Sequence, residues 1–269
     1  MPVLTKNEIV EMFPQLNAWL ADLLMSISGV NKTNTLYDSI EAEGGADFAD
    51  EFFGKLGVNI TVSGDEKLSK LGDGAFITIA NHPYGSLDGL ALIKTIARVR
   101  PDYKIMVNKM LMHFKKLQDN FISVIPTGAT RTSPTIESLT GVKNSLLHLK
   151  EGHPLGLFPS GAVSDLSIKE GFRVRDREWQ IPAIRLIQKA RVPILPVRFF
   201  DGNSWFYYTL GLIDWRVRLL DLPNQIFNRA GKPFRMKFGD IISPEQQDMY
   251  KTPEAFRDFL RGAVYGMEL

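Results

Sequence analysis

From residue 75 onward the chain repeats one rhythm: a short, almost wholly apolar run, then a longer stretch with apolar residues at helical spacing. The runs are AFITIAN (75–81), YKIMVN (103–108), FISVIP (121–126), PLGLFPSG (154–161) and VPILPVRFF (192–200). A strand buried on both faces reads as such a continuous run, whereas a half-exposed strand alternates. Between them, LDGLALIKTIARVR (87–100), a basic KMLMHFKKLQ (109–118), TIESLTGVKNSLLHLKEG (135–152) and EWQIPAIRLIQKA (178–190) read as helices, the third closed by Gly152 as a C-cap. Strand and helix in alternation predict a single α/β domain, with a mostly parallel central sheet flanked by helices. FRMKFGDII (234–242) is expected to add an edge strand, and residues 253–265 a closing helix.

The N-terminal part has a different texture. Ile9, Val10, Phe13, Leu16, Trp19, Leu20, Leu23 and Leu24 recur at helical spacing, with Pro14 as a break. A second helix is predicted over 36–56, ending at Gly57, followed by an alternating strand, VNITVSG, and a loop, EKLSKLGDG. The expected organisation is a helical N-terminal extension, residues 1–70, ahead of one catalytic domain, residues 71–269.

Composition narrows the function classes. Apolar residues make up 44% and charged residues 23% of 269, which is ordinary for a globular protein. A formal charge of +2 gives no electrostatic footprint for nucleic acid. With no cysteine, disulfides, thiolate metal sites and a cysteine nucleophile are excluded, which fits a reducing cytoplasm. The first residues show no basic region leading into a long apolar run, so no signal peptide is expected. No apolar stretch approaches the roughly 20 residues of a spanning helix. The four histidines, at 82, 113, 148 and 153, lack metal-ligand spacing, and no metal site is expected.

The segment that carries chemistry is ANHPYGSLDGLAL, residues 80–92. It places His82 just past the end of a buried strand and Asp88 at the start of the next helix, where open α/β sheets bind ligands. A near-neutral imidazole can take a proton from a hydroxyl or amine as that group attacks a carbonyl. A carboxylate behind it fixes the tautomer and stabilises the imidazolium. Pro83 and Gly85 shape a turn that lets Asp88 fold back toward His82, and Gly85 makes the turn sterically easy. The purely structural alternative is that His82 ends the strand and Asp88 caps the helix. Asn81 either orients this loop or terminates the strand. No GxSxG element is present, so transfer without an acyl-enzyme is the simpler chemistry.

Three blocks in order turn this pattern into a resemblance. NHPYGSLD resembles the NHxxxxD signature of the glycerolipid and lysophospholipid acyltransferase superfamily. FPSGAVS (158–164) looks like its FPEGTRS element, and VPILPVR (192–198) is similar to its VPIVPV strand. GVNKTNTLYD, NHPYGSLDG with its five residues between histidine and aspartate, and DGNSWFYY look like the bacterial hemolysin-like branch. Ser160 and Val163 stand where the superfamily has a glutamate and an arginine credited with holding the acceptor's phosphate and glycerol. Arg131, in a faint second block VIPTGATR, and Arg173 and Arg175 in GFRVRD are candidates to supply the missing charge.

The resemblance implies transfer of a fatty acyl chain from acyl carrier protein or acyl-CoA to a lyso-lipid hydroxyl, with no bound cofactor. His82 would be the base, Asp88 its partner, Ser160 and Gly161 acceptor-side residues, and backbone amides near Gly161 an oxyanion site. A lysophospholipid acceptor of the 1-acylglycerol-3-phosphate type is the first expectation. Amino-acid lipids, or a non-catalytic lipid-binding role, are the alternatives. The implied place is peripheral, on the inner face of the cytoplasmic membrane. The aromatic segment NSWFYYTLGLIDWRVRLL (203–220) and the N-terminal helices are candidate contacts.

Overall fold

The computed structural model describes residue 22 and residues 25–125, 136–167, 171–213 and 215–269. Its elements in chain order are α1 (Val30–Ser39), α2 (Gly45–Leu56), β1 (Ile60–Ser63), α3 (Glu66–Ser69), β2 (Ile77–Ala80), α4 (Ser86–Ile96), β3 (Lys104–Asn108) and β4 (Phe121–Val124). There follow α5 (Ile136–Lys150), β5 (Leu155–Leu157), β6 (Asp165–Ser167), β7 (Arg173–Arg175), α6 (Ile181–Ala190) and β8 (Ile194–Phe199). The chain closes with α7 (Trp205–Ile213), α8 (Trp215–Phe227), β9 (Phe234–Phe238), α9 (Pro244–Gln247) and α10 (Pro253–Tyr265). Of the helix expected over residues 7–29, residues 22 and 25–29 are described, helical at 22 and 25–27, and the rest lies outside the described residues.

The described residues form a seven-stranded sheet in the order β1-β9-β8-β2-β5-β3-β4. From β8 to β4 every pairing is parallel, and only the β8–β9 pairing is antiparallel. Strand β2 is central and buried throughout, with Ile77 level with Leu155 on one side and Ile194 on the other. Side chains of neighbouring positions fall on opposite faces, as a pleated strand requires. Phe76 and Ala80 join a cluster with Phe48, Phe52 and Phe53 of α2 and Leu90 and Ile93 of α4. Ile77 and Ile79 join the opposite cluster, with Ile184 and Ile187 of α6 and Phe256, Leu260 and Val264 of α10. The α10 set repeats every four residues, one apolar stripe laid on the sheet. The expected α/β class with a mostly parallel sheet and helices on its faces is what the structure has.

Three elements differ from expectation. The predicted helix over 36–56 is two helices, broken at residues 40–44. The Glu51 carboxylate accepts the backbone N–H of Glu41 and of Ala42, at 3.0 and 2.9 Å, and the Gly44–Gly45 pair is a poor helix former. The basic stretch 109–118 forms two 3-10 segments, Lys109–His113 and Lys115–Asn120. Asn108 opens the first by accepting Met110 N–H, and Lys116 is spent on the Ile40 carbonyl at 2.7 Å. Strand β9 is not an edge: it lies between β8 and β1, and β1 pairs with it in parallel register, Ile60 to Phe234.

The centre of the sheet leaves no spare volume. The Tyr103 hydroxyl crosses over Gly156 to meet Thr78 Oγ1 at 2.6 Å, fully buried, and a β-carbon on Gly156 would overlap it. Gly156→Ala is therefore expected to cost about 1–3 kcal/mol, the usual range for overpacking. Urea unfolding should show a lowered midpoint with an unchanged slope; an unchanged midpoint would mean Tyr103 can move aside.

Candidate active site

Strand β2 delivers the chain to the C-terminal edge of the sheet, and the next residues are locked at once. Asn81 is buried, and both its amide atoms are used on β8: Nδ2 donates to the Phe199 carbonyl at 2.9 Å and Oδ1 accepts Phe199 N–H at 2.8 Å. Its role is therefore to hold the ends of β2 and β8 level. His82 follows, with its backbone N–H donated to the Asp176 carboxylate at 3.0 Å and its carbonyl accepting Ser164 N–H at 2.8 Å. The imidazole stacks on Phe158, ring centres 4.1 Å apart, and its side chain keeps 18% exposure.

Asp88 is fully buried at the first turn of α4. Its Oδ2 accepts the N–H of Tyr84 at 2.9 Å and of Gly85 at 3.0 Å, and lies 2.8 Å from His82 Nδ1. The contact with the imidazole is close without the alignment of a full hydrogen bond. Such contacts commonly tighten when substrate binds. The capping and the catalytic readings of Asp88 are thus one arrangement, in which the carboxylate that starts the helix also backs the histidine. Nδ1 faces Asp88, which leaves Nε2 as the ring nitrogen not engaged by that carboxylate. Gly85 sits at φ +84°, and a β-carbon there would press on Leu222 and Val163 at 3.2 Å.

The block after β5 brackets the same loop. Ser160 is buried and donates to the Ala162 carbonyl at 2.7 Å. Gly161, at φ +64°, gives its own N–H to the Phe158 carbonyl at 2.9 Å, so that amide is already engaged in the turn. Arg173 and Arg175 lie on β7, which pairs antiparallel with β6. Arg173 is exposed; Arg175 stands over the Tyr265 ring at 4.8 Å. Arg175 lines a cleft of about 500 Å³ in which four arginines face four carboxylates, one of them Asp176, the acceptor of the His82 amide. Arg131 lies outside the described residues.

Residues that the sequence did not flag complete the site. Asp176 is buried and accepts from His82 N–H, Ser164 Oγ (2.6 Å) and Trp179 Nε1 (2.9 Å), tying the histidine to two other segments. Tyr208 of α7 donates to the Pro83 carbonyl at 2.7 Å. Buried Arg218 of α8 donates to the Ser164 carbonyl at 3.0 Å and pairs with Asp165. Asp176 follows two arginines in GFRVRD, which hid an acid whose contact with the histidine spans 94 residues.

A histidine backed by a buried carboxylate at a sheet edge serves many reactions, and comparison with known proteins selects one. A family model described as Acyltransferase matches residues 19–265. The chain belongs to this acyltransferase family. It is 25% identical over 254 residues to a lyso-glycine lipid O-acyltransferase of Bacteroides thetaiotaomicron, covering 92% of this chain and 89% of that protein. A protein of the same name from Phocaeicola vulgatus is 23% identical over 269 residues, covering 97% and 91%. The fold is similar to that of PlsC, the 1-acyl-sn-glycerophosphate acyltransferase of Thermotoga maritima. The TM-score is 0.53 at 16% identity, over 91% of this chain and 86% of that one. The expected superfamily and enzyme class are confirmed.

In this acyltransferase the burial of Asp88 is the dominant influence on its titration. Desolvation raises its pKa, opposed by the imidazole and the two backbone amides. A raised folded-state pKa means the folded protein holds the proton more tightly than the unfolded chain, whose aspartate titrates near 3.9. Stability from this group is thus fully present below about pH 4 and is lost as pH rises through the folded value. Asp88→Asn, which keeps an acceptor for the two amides, removes that dependence. Its stability relative to wild type should be most favourable at pH 7–8 and decline on acidification toward pH 4, as read by urea titrations across that range. The opposite trend would show that ionised Asp88 is net stabilising.

Proposed function

We propose that the enzyme transfers a fatty acyl group from a thioester, acyl carrier protein or CoA, to the hydroxyl of a lyso-lipid, with lyso-glycine lipid as the favoured acceptor. The observation that carries the chemistry is the fully buried Asp88 within 2.8 Å of His82 Nδ1, in a chain of the acyltransferase family. His82 Nε2 takes the hydroxyl proton as the acceptor oxygen attacks the thioester carbonyl. The new C–O bond gives a tetrahedral oxyanion; the C–S bond then breaks, and the imidazolium returns its proton to the departing thiolate. No bound cofactor takes part.

The acceptor reading rests on two points. The relatives matched over nine-tenths of the chain are named for lyso-glycine lipid. The positions expected to carry glutamate and arginine are Ser160, closed into its own turn, and Val163, packed toward Gly85 and Leu222. Neither offers charge to a glycerol phosphate. An acyl-transfer assay with a labelled acyl-carrier-protein thioester and lyso-glycine lipid, lyso-ornithine lipid and lysophosphatidic acid would decide among them. Transfer to lyso-glycine lipid is expected, reduced about 10²–10⁴-fold in His82→Ala, as for loss of a general base. Full activity in that variant, or preference for lysophosphatidic acid, would overturn the mechanism or the acceptor respectively.

The enzyme works, in this reading, peripherally at the inner face of the cytoplasmic membrane. No helix among the described residues is long and apolar enough to cross a membrane. The α7–α8 hairpin nevertheless exposes Trp205, Phe206, Leu212, Ile213, Trp215 and Val217. Exposed apolar groups concentrated in this way mark an interaction surface, and tryptophan favours the lipid–water interface. The double variant Ile213→Glu, Trp215→Glu should bind phospholipid vesicles at least tenfold more weakly while retaining wild-type melting behaviour. Unchanged sedimentation with vesicles would move the membrane contact elsewhere.

A further inference from the structure

Arg229 follows α8 and is only 8% exposed. Buried guanidinium groups normally face a carboxylate, because an unpaired buried charge is costly. Buried Arg218 obeys this by pairing with Asp165, and even the more exposed Arg235 takes both oxygens of Asp201, at 2.5 and 3.0 Å. Arg229 has no such partner among the described residues. Its Nη1 donates to the Gly202 carbonyl at 2.7 Å, its carbon lies 5.4 Å from the Tyr84 ring centre, and its buried Nε has no acceptor.

The side chain lines a cavity of about 170 Å³ with Ser204, Trp205, Asn228 and Lys232. No acidic residue is on its wall, and two cations are. The larger cleft beside Arg175 makes the contrast, since its four arginines are matched by four acids. The cavity also lies at the catalytic edge of the sheet. Residues 200–204 follow β8 as residues 81–85 follow β2, and those strands are parallel neighbours. Tyr208 joins the two loops, accepting Asn203 N–H at 3.1 Å and donating to the Pro83 carbonyl at 2.7 Å. A β-carbon on Gly202 would lie 3.5 Å from Pro83 Cβ, so the cavity wall and the histidine loop touch.

We propose that the Arg229 cavity binds the anionic head group of the lyso-lipid acceptor, a carboxylate or phosphate oxyanion, while the acceptor hydroxyl lies at His82. This rests on the acyl-transfer reading above. Arginine suits the task because its planar fork presents two N–H groups to two oxygens. Glycine joined through its nitrogen presents such a carboxylate, and Lys232 at the rim adds a second positive charge.

The test compares an N-(hydroxyacyl)glycine with its methyl ester, and lysophosphatidic acid as the phosphate arm, on wild type, Arg229→Gln and Arg229→Lys. Wild type should favour the acid over the ester by about tenfold or more in kcat/KM; Arg229→Gln should bring the two within about threefold, through KM, with Lys between. Dependence on Arg229 confined to lysophosphatidic acid would assign the phosphate. If Arg229→Gln slows acid and ester alike, or keeps the preference, the residue is structural and the proposal fails. If wild type acylates none of the acceptors, the functional reading fails separately, and the cavity is judged by calorimetry with hexanoylglycine and hexyl phosphate. Saturable binding weakened about tenfold in Arg229→Gln would still support the site; binding to neither probe, or equal binding in both proteins, would overturn it. Should Arg229→Gln not fold by circular dichroism, Arg229→Lys and Lys232→Ala decide: both must lower the acid preference, or the idea is wrong.

Discussion

A carboxylate with no solvent exposure is the constraint around which this enzyme is arranged. Taking Asp88 out of water costs several kcal/mol, and the compensation must come from groups held in place beforehand. Two are the Tyr84 and Gly85 amides at the start of α4, where the helix N-terminus also favours negative charge. The third is the His82 imidazole. Because all three depend on one turn, the helix cannot start correctly without placing the histidine. Local folding and the placing of the imidazole are therefore the same event. Gly85, at positive φ and where a β-carbon would crowd Leu222 and Val163, is the residue that lets the turn close.

The rest of the site restrains that turn from three directions. Asn81 fixes β2 against β8, Asp176 takes the His82 amide, and Tyr208 takes the Pro83 carbonyl. Asp176 does most, since its two oxygens accept from three different segments inside the protein. Buried networks of this kind rigidify when every member is satisfied. Phe158, stacked on the imidazole, adds a flat apolar wall that limits rotation of the ring.

The parallel strands were legible because burial on both faces writes a continuous apolar run, as ITIA does in β2. The position of β9 was not. FRMKF buries alternate residues, a pattern shared by an edge strand and a strand with one half-polar face, and only pairing to β1 separates the two. The α7–α8 hairpin escaped for the opposite reason, since WFYYTLGLI is apolar all round and shows no helical stripe. In the site, His82 and Asp88 were legible because they lie six residues apart with a proline and a glycine between them. Asp176 and Tyr208 reach the same loop across 94 and 125 residues, and no local pattern announces such contacts.

The same distinction applies to the cation that the proposal sets against the acceptor's head group. Sequence comparison looks for it in the block after β5, but Ser160 and Val163 there serve the turn and its packing. Arg173 is exposed, and Arg175 rests on a tyrosine ring in a cleft already neutral. Among the described residues, the buried arginine without a carboxylate partner is Arg229, supplied by the far end of the α7–α8 hairpin. That hairpin also carries the exposed Trp205 and Trp215, and it grips the histidine loop through Tyr208 and the neighbouring block through Arg218. One element thus joins an apolar surface, a cationic cavity and the histidine turn. An amphiphile whose head group is held at the cavity would have its hydroxyl presented to the base by the same rigid body that meets the lipid, so positioning and access become a single structural problem.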